Sequence, residues 1–376
     1  MDRYDRQRRL AGFDQEILSA ARILVIGAGT TGNEVIKNLV LLGVGHLTIC
    51  DVDTIETVNL SRSILFRDRD LGQSKATVAA DRALELNPDL REAVAWHRNV
   101  VHEVGCRAYE EFACVVLTVD NLEARMWVNR YCWLSQTPLI DTGVHGLLGN
   151  ISVMAPPAPV CLECGWSLDA YRRLAERFSC LKIGLDPNDP KIPMVITSAA
   201  VIGGLAAQEC VGLLHDRHHG ETTRGGTCLS FDGEVGALLR WHTPERDDCP
   251  GHGATWAQRA LLDVDSQRDE DVASLKARIQ RQTQADIVEL YHDKEIVYGA
   301  VCNACEHIAP IAPVHLGMFR RRVCTQCGSV GLVPHDVTTE LRQGFTLGQL
   351  GVPCQHVIRI MYARGEQVDE AWCPVR

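Results

Sequence analysis

The chain has 376 residues, of which 23% are charged, and a net charge of −10 at pH 7. This length suffices for one large domain and a smaller one. The acidic balance argues against a nucleic-acid-binding protein, which needs a basic surface to neutralise phosphates. Because residues 1–12 lack the apolar core of a signal peptide and no apolar run has membrane-spanning length, we expect a cytoplasmic protein with no membrane contact.

The N-terminal segment is charged and then amphipathic, and residues 13–21 predict a helix. Arginines near a terminus, such as Arg3 and Arg6, usually belong to a solvated face. The residues alone therefore assign them no function.

Residues 23–53 have the pattern of a strand, a glycine turn, a helix and a second strand. Residues 23–26 form an uncharged apolar run, typical of a buried parallel strand. The helix predicted at residues 33–42 presents free N–H groups to an anion at its N-terminus. The turn between them is a G-x-G-x-x-G, whose glycines permit a tight turn, close approach of backbone to a phosphate, and close helix–strand packing. These glycines are Gly27, Gly29 and Gly32.

The second strand of this unit, residues 47–50, ends at Asp51, whose carboxylate can hold ribose hydroxyls. The pattern predicts that the chain binds an adenine nucleotide. It leaves open whether that nucleotide is NAD, FAD or ATP.

Further polar side chains follow the strands that we predict. Asn59 and Arg62 lie in the loop of residues 54–66, and Lys75 begins the helix predicted at residues 74–86. Asp120 ends the strand predicted at residues 115–119. A carboxylate facing bound phosphates is repelled unless a cation lies between them, which indicates Mg²⁺. The alternative is that Asp120 is a helix N-cap.

Strands alternate with helices over residues 1–252, which predicts an α/β fold with a doubly wound, Rossmann-like, mostly parallel sheet. Residues 253–284 are interpreted as a linker and a charged helix, and residues 285–376 as a small zinc-ribbon domain with a β-rich tail. The remaining predicted strands are residues 93–96, 138–140, 226–230, 237–241, 287–298 and 357–362, and the remaining helices are residues 122–134, 193–214 and 267–283.

The sixteen cysteines require an interpretation other than disulfides in a cytoplasmic protein. Four of them form two C-x-x-C pairs separated by a short hairpin, which is the pattern of a closed, structural zinc site. The alternative is a redox C-x-x-C. The four residues are Cys302, Cys305, Cys324 and Cys327.

A second zinc site is predicted from two half-sites that lie far apart in sequence. Cys161 and Cys164 form a C-x-x-C, and Cys249 and His252 form a C-x-x-H. Thiolates with one imidazole are a normal zinc shell. The alternative is a lone C-x-x-C, with Cys249 and His252 as ordinary loop residues.

Together these residues resemble the ubiquitin-activating-enzyme superfamily, specifically its compact homodimeric branch with the molybdopterin and thiamine sulfur-carrier adenylyltransferases. The resemblance covers residues 3–252. It is carried by the motifs RYDRQ near the N-terminus, GAGTTG, the D-x-D of Asp51 and Asp53, NLSR, GQSK, VDN with Asn121, and the C-x-x-C with its distal ligand pair.

This resemblance implies that the chain binds Mg²⁺ and ATP and adenylates the C-terminal glycine of a ubiquitin-like protein. Arg62 and Lys75 match residues that hold the triphosphate, and Asp120 matches the metal-binding aspartate. Asp51 and Asn59 match ribose contacts. Arg6 matches an arginine that reaches into the partner subunit's site, which implies a homodimer.

The sequence departs from the family pattern at three places. Ser63 stands where the NLxR motif usually continues with glutamine, and His252 stands where the last zinc ligand is usually cysteine. The ribbon and tail after residue 284 have no uniform counterpart. A tail with an LGVP turn followed by a strand resembles bacterial members found with dedicated ubiquitin-like and conjugating proteins.

Cys180 distinguishes two branches of the superfamily. It lies in the segment of about residues 165–193 that corresponds to a crossover loop, where activating enzymes carry the modifier as a thioester before transfer to a conjugating enzyme. If Cys180 is only structural, the chain is a sulfur-carrier adenylyltransferase without an obligatory thioester. An NAD-dependent oxidoreductase leaves Arg62, Lys75 and Asp120 unexplained, and these residues also argue against an inactive scaffold. The sequence names neither the ubiquitin-like partner nor the final target.

Overall fold

The structure is a computed structural model that describes residues 2–177, 193–221, 224–253, 255–320 and 322–376, with the side chains of residues 175–177 and 256 left out. The chain divides into two units. The first comprises Met1–Val101, Tyr109–Trp166 and Lys191–Thr255. The second comprises His102–Ala108, the described residues of 167–190, and Trp256–Arg376.

The first unit contains eight strands and five helices among its described residues. The strands are β1 (Arg22–Ile26), β2 (His46–Cys50), β3 (Glu92–Trp96), β4 (Cys114–Leu117), β5 (Leu139–His145), β6 (Leu148–Met154), β7 (Thr227–Asp232) and β8 (Ala237–His242). The helices are α1 (Gln15–Ala20), α2 (Thr30–Leu42), α3 (Lys75–Leu86), α4 (Leu122–Ser135) and, after α5 (Leu168–Arg177) of the second unit, α6 (Ile196–His218).

The eight strands form one sheet in the order β3-β2-β1-β4-β5-β6-β7-β8. The first five of these strands are parallel to one another, and β6, β7 and β8 continue the sheet as antiparallel strands. The predicted Rossmann-like fold is confirmed. In a doubly wound sheet, ligands bind beyond the carboxyl ends of the parallel strands, where β1, β2 and β4 finish together.

Several element boundaries differ from the prediction for local reasons. The helix after the glycine turn begins at Thr30, three residues early, because Gly29 is its N-cap. The helix expected from residue 193 begins at Ile196, because Val195 is extended. Strand β4 ends at Leu117, so Asp120 follows it after a short loop.

Helix α6 is long and apolar enough to cross a membrane by length and composition, contrary to the expectation from the sequence. In the protein, 61% of its most apolar window is buried. Gly203 faces Glu34 of α2 so closely that a Cβ built there would lie 2.5 Å from the Glu34 Cβ. The small residues of α6 thus let two helices pack tightly, as predicted for an interior helix.

The core of the first unit joins β1, β2 and β4 to the helices on the sheet. Ile23, Val25, Leu47, Ile49 and Val116 are almost completely buried. Fully burying each aliphatic side chain contributes about 1.5–3 kcal/mol. This core holds the strand ends, and the loops that follow them, at one edge of the sheet.

Besides α5, the described residues of the second unit form helix α7 (Val272–Thr283) and a sheet of five strands. The strands are β9 (Ile287–Cys302), β10 (Ile308–His315), β11 (Leu332–Glu340), β12 (His356–Arg364) and β13 (Gln367–Val375). Strand β9 pairs with β12 through its first residues and with β10 and β11 through its last ones, and all of these pairs are antiparallel. The long β9 therefore joins the hairpin of the C-x-x-C pairs to the C-terminal strands.

Helix α7 buries its apolar face on this sheet. Val272, Leu275 and Ile279 are fully buried and share a core with Leu290 and Ile358. The side chain of Asp271 accepts a hydrogen bond from the Ser274 N–H and caps the helix at its N-terminus.

Candidate functional site

The glycine turn lies at the carboxyl end of β1, and each glycine has a separate reason to be there. Gly27 has φ +98°, a conformation that strongly favours glycine. A Cβ on Gly32 would lie 2.0 Å from the Gly27 carbonyl oxygen, so the helix can approach the strand only without one. A Cβ on Gly29 would meet no atom within 4 Å. The open face of the turn is therefore at Gly29, the N-cap of α2, where an anion can approach.

Two polar side chains that sequence reasoning missed fix this turn. Thr118 Oγ1, just after β4, donates to the carbonyls of Ile26 and Gly27, at 3.1 Å and 2.8 Å. Asn33 is fully buried, and its Nδ2 lies 2.8 Å from the Ala28 carbonyl. Thr118 bonds to a segment that is distant in sequence, and Asn33 bonds to the turn before its own helix. In the sequence, each residue could be recognised only as a polar residue next to or within an apolar segment.

Asp51 holds the glycine turn from the end of β2. Its carboxylate accepts hydrogen bonds from the N–H groups of Ala28, at 2.7 Å, and Asp53, at 2.8 Å. Partial burial raises the pKa of Asp51, and Lys75 opposes this rise. Asp51 is thus placed beside the turn, where its carboxylate can also meet a ribose.

Lys75 and Asp53 form an ion pair with 2.8 Å between Nζ and Oδ2. The Lys75 side chain is 11% exposed, whereas that of Asp53 is 64% exposed. The backbone N–H of Lys75 also donates to the Asp53 carbonyl at 3.0 Å. The loop after β2 and the start of α3 are therefore joined, and a phosphate would compete with Asp53 for the ammonium.

The loop after β2 also carries Asn59 and Arg62. The Asn59 side chain accepts from the Glu56 N–H at 2.8 Å and closes a short turn. The half-buried Arg62 guanidinium donates to the Val58 carbonyl. Ser63, where the family pattern has glutamine, is buried.

Asp120 is exposed in the loop after β4, and Asn121 is the N-cap of α4. The Asn121 Oδ1 accepts from the Glu123 N–H at 2.9 Å. The alternative interpretation of Asp120 as the helix N-cap is therefore wrong. The carboxylate of Asp120 stays available at the edge of the sheet where the glycine turn lies.

A buried ion pair supports the loop of Asp120. Arg125 contacts the Asp141 carboxylate and donates from Nη2 to the carbonyls of Val119 and Thr142, each at 2.7 Å. Burial raises the pKa of Asp141 to about 6, and Arg125 opposes the shift. No motif in the sequence indicates this pair, because Arg125 and Asp141 lie on different elements.

Arg6 is exposed at the N-terminal end of a short 3₁₀ helix, Gln7–Arg9. The neighbouring Gln7 donates to the Leu42 carbonyl at 2.8 Å, and the Tyr4 hydroxyl accepts from Asn87 at 2.8 Å. The segment is fixed to the ends of α2 and α3, while the guanidinium of Arg6 faces outward.

The structure brings together the two half-sites of the zinc site predicted from the C-x-x-C of Cys161 and the C-x-x-H of Cys249. The ligand atoms of Cys161, Cys164, Cys249 and His252 all lie within 4.8 Å of one another. The Sγ atoms of Cys161 and Cys249 are 3.6 Å apart. Two thiolates bound to one zinc ion at a tetrahedral angle lie about 3.8 Å apart. The four residues therefore fit zinc.

The surroundings of this cluster fix its ligands. The Trp133 ring stacks on His252 with ring centres 4.3 Å apart. Asn129 donates to the Cys161 Sγ at 3.4 Å. Burial raises the pKa of the Cys161 and Cys249 thiols, so the thiolates require a nearby cation.

The ribbon cysteines also come together at the ends of β9 and β11. Cys302 and Cys327 have Sγ atoms 3.6 Å apart, and those of Cys305 and Cys324 are 3.8 Å apart. The Ser329 hydroxyl, with the Ala304 N–H, lowers the pKa of Cys302 to about 6. This arrangement fits a closed tetrahedral zinc site. Cys180 lies outside the described residues.

Part of the chain is similar in sequence to activating enzymes of two organisms. SUMO-activating enzyme subunit 2 of Dictyostelium discoideum is 38% identical over 148 residues, covering 39% of this chain and 22% of that protein. Ubiquitin-activating enzyme E1 1 of Schizosaccharomyces pombe is 34% identical over 165 residues, covering 41% of this chain and 16% of that protein. The match spans about a fifth of the length of these relatives.

Solved structures of Escherichia coli MccB share the fold. The structure with succinimide has a TM-score of 0.54 and 20% identity, and the match covers 67% of this chain and 75% of MccB. The structure with ATP has a TM-score of 0.53 and 21% identity, with 64% and 68% covered.

The family match extends over almost the whole region of the resemblance. Residues 4–251 match the ThiF family, from the N-terminal segment with Arg6 to Cys249, and the match ends one residue before His252. This range includes the glycine turn, the loops of Asn59 and Arg62, and the strand end before Asp120. The chain therefore belongs to the ThiF family.

Proposed function

We propose that the chain uses ATP to adenylate the C-terminus of a ubiquitin-like protein. One observation carries this proposal: cationic side chains and an exposed carboxylate, Asp120, follow β2 and β4 at the sheet edge of the glycine turn. A dinucleotide cofactor needs neither a metal-binding carboxylate nor a lysine for a leaving pyrophosphate. Family membership and the names of the relatives support the same activity.

In this proposal the glycine turn receives the phosphates and the end of β2 receives the ribose. The open space at Gly29 admits a phosphate at the N-terminus of α2. Asp51 and Asn59 accept hydrogen bonds from the ribose hydroxyls. Asp53 and Asn121 are proposed to lie in the same site. Asp53 forms an ion pair with Lys75, and Asn121 caps the N-terminus of α4.

Charge neutralisation is the main catalytic contribution of the protein. Lys75 exchanges its contact with Asp53 for the triphosphate, and Arg62 binds a second phosphate. Asp120 holds Mg²⁺, which when bound neutralises phosphate oxygens and favours departure of pyrophosphate. Removing one such interaction typically lowers the rate about 100- to 1,000-fold.

The proposed reaction is a displacement at the α-phosphorus of ATP. A carboxylate oxygen of the C-terminal glycine attacks this phosphorus and forms an acyl-phosphate bond. The bond from the α-phosphorus to the bridging oxygen breaks, and pyrophosphate leaves with the electron pair. The side chains align the reactants and need not exchange a proton.

A second step is proposed at Cys180, on the family resemblance alone. Its thiolate attacks the acyl carbon of the adenylate, AMP leaves, and the modifier is carried as a thioester to a conjugating enzyme. Arg6 is proposed to act in the site of a second copy in a homodimer. We place this reaction in the cytoplasm.

Pyrophosphate–ATP exchange tests the first step. With candidate ubiquitin-like proteins that end in glycine, we expect exchange that requires both Mg²⁺ and the terminal glycine. Asp120→Asn and Lys75→Ala should each lower exchange by about 100-fold or more. Asp81→Asn, an exposed carboxylate on α3, is the matched control and should retain wild-type exchange.

The opposite pattern would overturn the proposal. If the wild type exchanges pyrophosphate equally well without any protein substrate, the substrate assignment is wrong. If Asp120→Asn behaves like Asp81→Asn, the metal-binding role of Asp120 is wrong.

Non-reducing electrophoresis after a single turnover tests the thioester. We expect a thiol-sensitive adduct between the wild type and its modifier, which Cys180→Ala abolishes while adenylate still forms. Cys354→Ala, which removes an exposed cysteine, is the control. A wild type that makes adenylate but no adduct is instead a sulfur-carrier type of adenylyltransferase.

Subunit mixing tests the role of Arg6. Arg6→Ala and Asp120→Asn should each be inactive alone. If Arg6 acts in the site of the other subunit, an equal mixture that exchanges subunits regains about a quarter of wild-type activity, because random pairing restores one site in each mixed dimer. A mixture that stays inactive after confirmed subunit exchange contradicts this arrangement.

A further inference from the structure

A cluster of four buried histidines lies within the second unit, apart from both cysteine clusters. His292 and His356 have fully buried side chains, and His315 and His102 are 3% and 7% exposed. The four rings follow one another with centres 4.9–5.0 Å apart, in the order His102, His315, His292, His356. Four adjoining buried imidazoles need a chemical reason, because each buried ring nitrogen requires a partner.

Three separate strands and one loop segment supply these residues. His292 lies within β9, His315 ends β10, His356 begins β12, and His102 belongs to the segment His102–Ala108. The pairing of β9 with β12 reaches Tyr291, and its pairing with β10 begins at Ile296. The cluster thus lies where β9 changes partners.

Asp293 completes a set of possible metal ligands. Its Oδ1 lies 2.9 Å from the His292 Nδ1 and 3.3 Å from the His356 Nε2. One ligand atom from each of these three residues lies within 4.8 Å of the other two. Two ligands about 2.0–2.1 Å from one zinc ion lie about 3.3 Å apart at a tetrahedral angle and about 2.9 Å apart at a right angle. The spacings fit a single ion.

Hydrogen bonds around the set involve the same ring nitrogens. The His292 Nδ1 accepts from the Lys294 backbone N–H at 2.9 Å, so an ion would take the place of this N–H on the nitrogen lone pair. The backbone N–H of Cys106 lies 3.4 Å from the His356 Nδ1, and the Nε2 of this ring faces Asp293.

The outer rings add to this arrangement. His315 and His102 have Nδ1 atoms 3.0 Å apart, so one donates to the other. Among the described residues, the buried Nε2 atoms of His292 and His315 have no hydrogen-bond partner. Neutral imidazoles of this kind are common ligands of divalent transition metals.

Lys294 provides the competing cation. Its ammonium lies 3.1 Å from the same Asp293 oxygen, and the residue is 6% exposed. A divalent ion would bind the carboxylate and the ring nitrogens at once, and its binding would displace the ammonium.

We propose that His292, Asp293 and His356 form a third metal site, for a divalent transition metal of the zinc class. The ion would bind together strands β9 and β12 and, through Cys106, the segment His102–Ala108. The remaining coordination positions would be filled by water or by His315.

Elemental analysis of the full-length protein tests this site. After equilibration with Zn²⁺ and removal of excess metal, we expect about three zinc ions per chain, against about two from the cysteine clusters alone. His292→Ala and His356→Ala should each lower the content by about one ion. His335→Ala, an exposed histidine on β11, is the control and should retain all three.

Two further measurements separate metal loss from unfolding. Cobalt substitution should retain the thiolate absorption of both cysteine clusters in His356→Ala, which reports that these regions are folded. Lys294→Met keeps every ligand and removes the competing charge, so it should bind the third ion about 10-fold more tightly in competition with a chelator. A wild type with only two zinc ions per chain, or a third ion retained in both histidine variants, overturns the proposal.

Discussion

The backbone N–H of Leu65 donates a hydrogen bond of 2.8 Å to the Oδ1 of Asn33. Asn33 lies in the first turn of α2, and its Nδ2 also donates to the carbonyls of Ala28 and Gly29, at 2.8 Å and 3.0 Å. One buried amide thus connects the glycine turn to the end of the loop that carries Arg62. Asn33 therefore fixes the relative position of the two segments that are proposed to bind the phosphates of ATP.

Replacing Asn33 with alanine should destabilise the first unit by roughly 2–4 kcal/mol, because the buried Leu65 N–H loses its acceptor. Urea unfolding followed by tryptophan fluorescence measures this change. Asn38→Ala, on the same helix and with a hydrogen bond to the carbonyl of Glu34, is the control and should cost about 1 kcal/mol or less. Equal losses in both variants would contradict the bridging role of Asn33.

The glycines of the turn should respond differently to alanine. In Gly32→Ala the new Cβ would lie 2.0 Å from the Gly27 carbonyl oxygen, so the strand and helix must separate and the thermal midpoint should fall sharply. Gly29→Ala meets no atom within 4 Å and should fold normally, yet its methyl group occupies the space offered to a phosphate. We expect its stabilisation by ATP in thermal unfolding to be lost. A Gly29→Ala protein stabilised as much as the wild type would place the phosphates elsewhere.

His252 should be replaceable by the residue that the family pattern has at its position. His252→Ala should lose about one zinc ion per chain, since one ligand of four is removed. His252→Cys should retain the ion, because a thiolate is an equivalent ligand. His242→Ala removes an exposed histidine on β8 and serves as the control in the same elemental analysis. Unchanged zinc in His252→Ala would mean that His252 does not bind the ion.

Asp141 should make stability fall as the pH rises from about 4 to about 6. Burial raises the pKa of this carboxyl from 3.8 to about 6, so the folded protein keeps a proton that the unfolded chain has released. The stabilisation is complete below the unfolded pKa and is lost as the pH passes the folded one.

Comparison of the wild type with Asp141→Asn isolates this contribution. Between pH 4 and pH 7, the unfolding free energy of the wild type should fall relative to that of Asp141→Asn by up to roughly 3 kcal/mol. Asp81→Asn, at an exposed position, should show no such shift relative to the wild type. A pH-independent difference for Asp141→Asn would mean that Asp141 is ionised throughout.

The sequence predicted those parts of the site that depend on local spacing. The glycine turn, Asp51 and the C-x-x-C pairs each lie within a few residues, and the sheet was predictable because its strands are short apolar runs between turn signals. Asn121 was harder to identify as the N-cap, because Asp120 beside it has an equally suitable side chain.

Contacts between distant segments were not predictable in the same way. The bonds of Thr118 to the glycine turn and of Asn33 to Leu65 depend on the finished arrangement of strands. His102 and His356 are single histidines with no partner at metal-binding spacing, and only the fold brings them into one cluster. Residues 143–159 are glycine-rich, then apolar, then proline-rich, and indicate a strand that runs into a surface excursion. The pairing of β6 with β5 and β7 in this region depends on the fold.

The segment His102–Ala108 is synthesised long before the other residues of the second unit that it contacts. The Arg107 N–H donates to the Gln355 carbonyl at 2.8 Å, and the Cys106 N–H contacts a histidine 250 residues later in the chain. At 5–20 residues per second, a ribosome needs roughly 12–50 s to make that intervening length. The segment therefore leaves the ribosome long before its partners exist and must stay accessible until the last strands emerge. The contacts of this segment can therefore form only after the strands of the second unit have been synthesised.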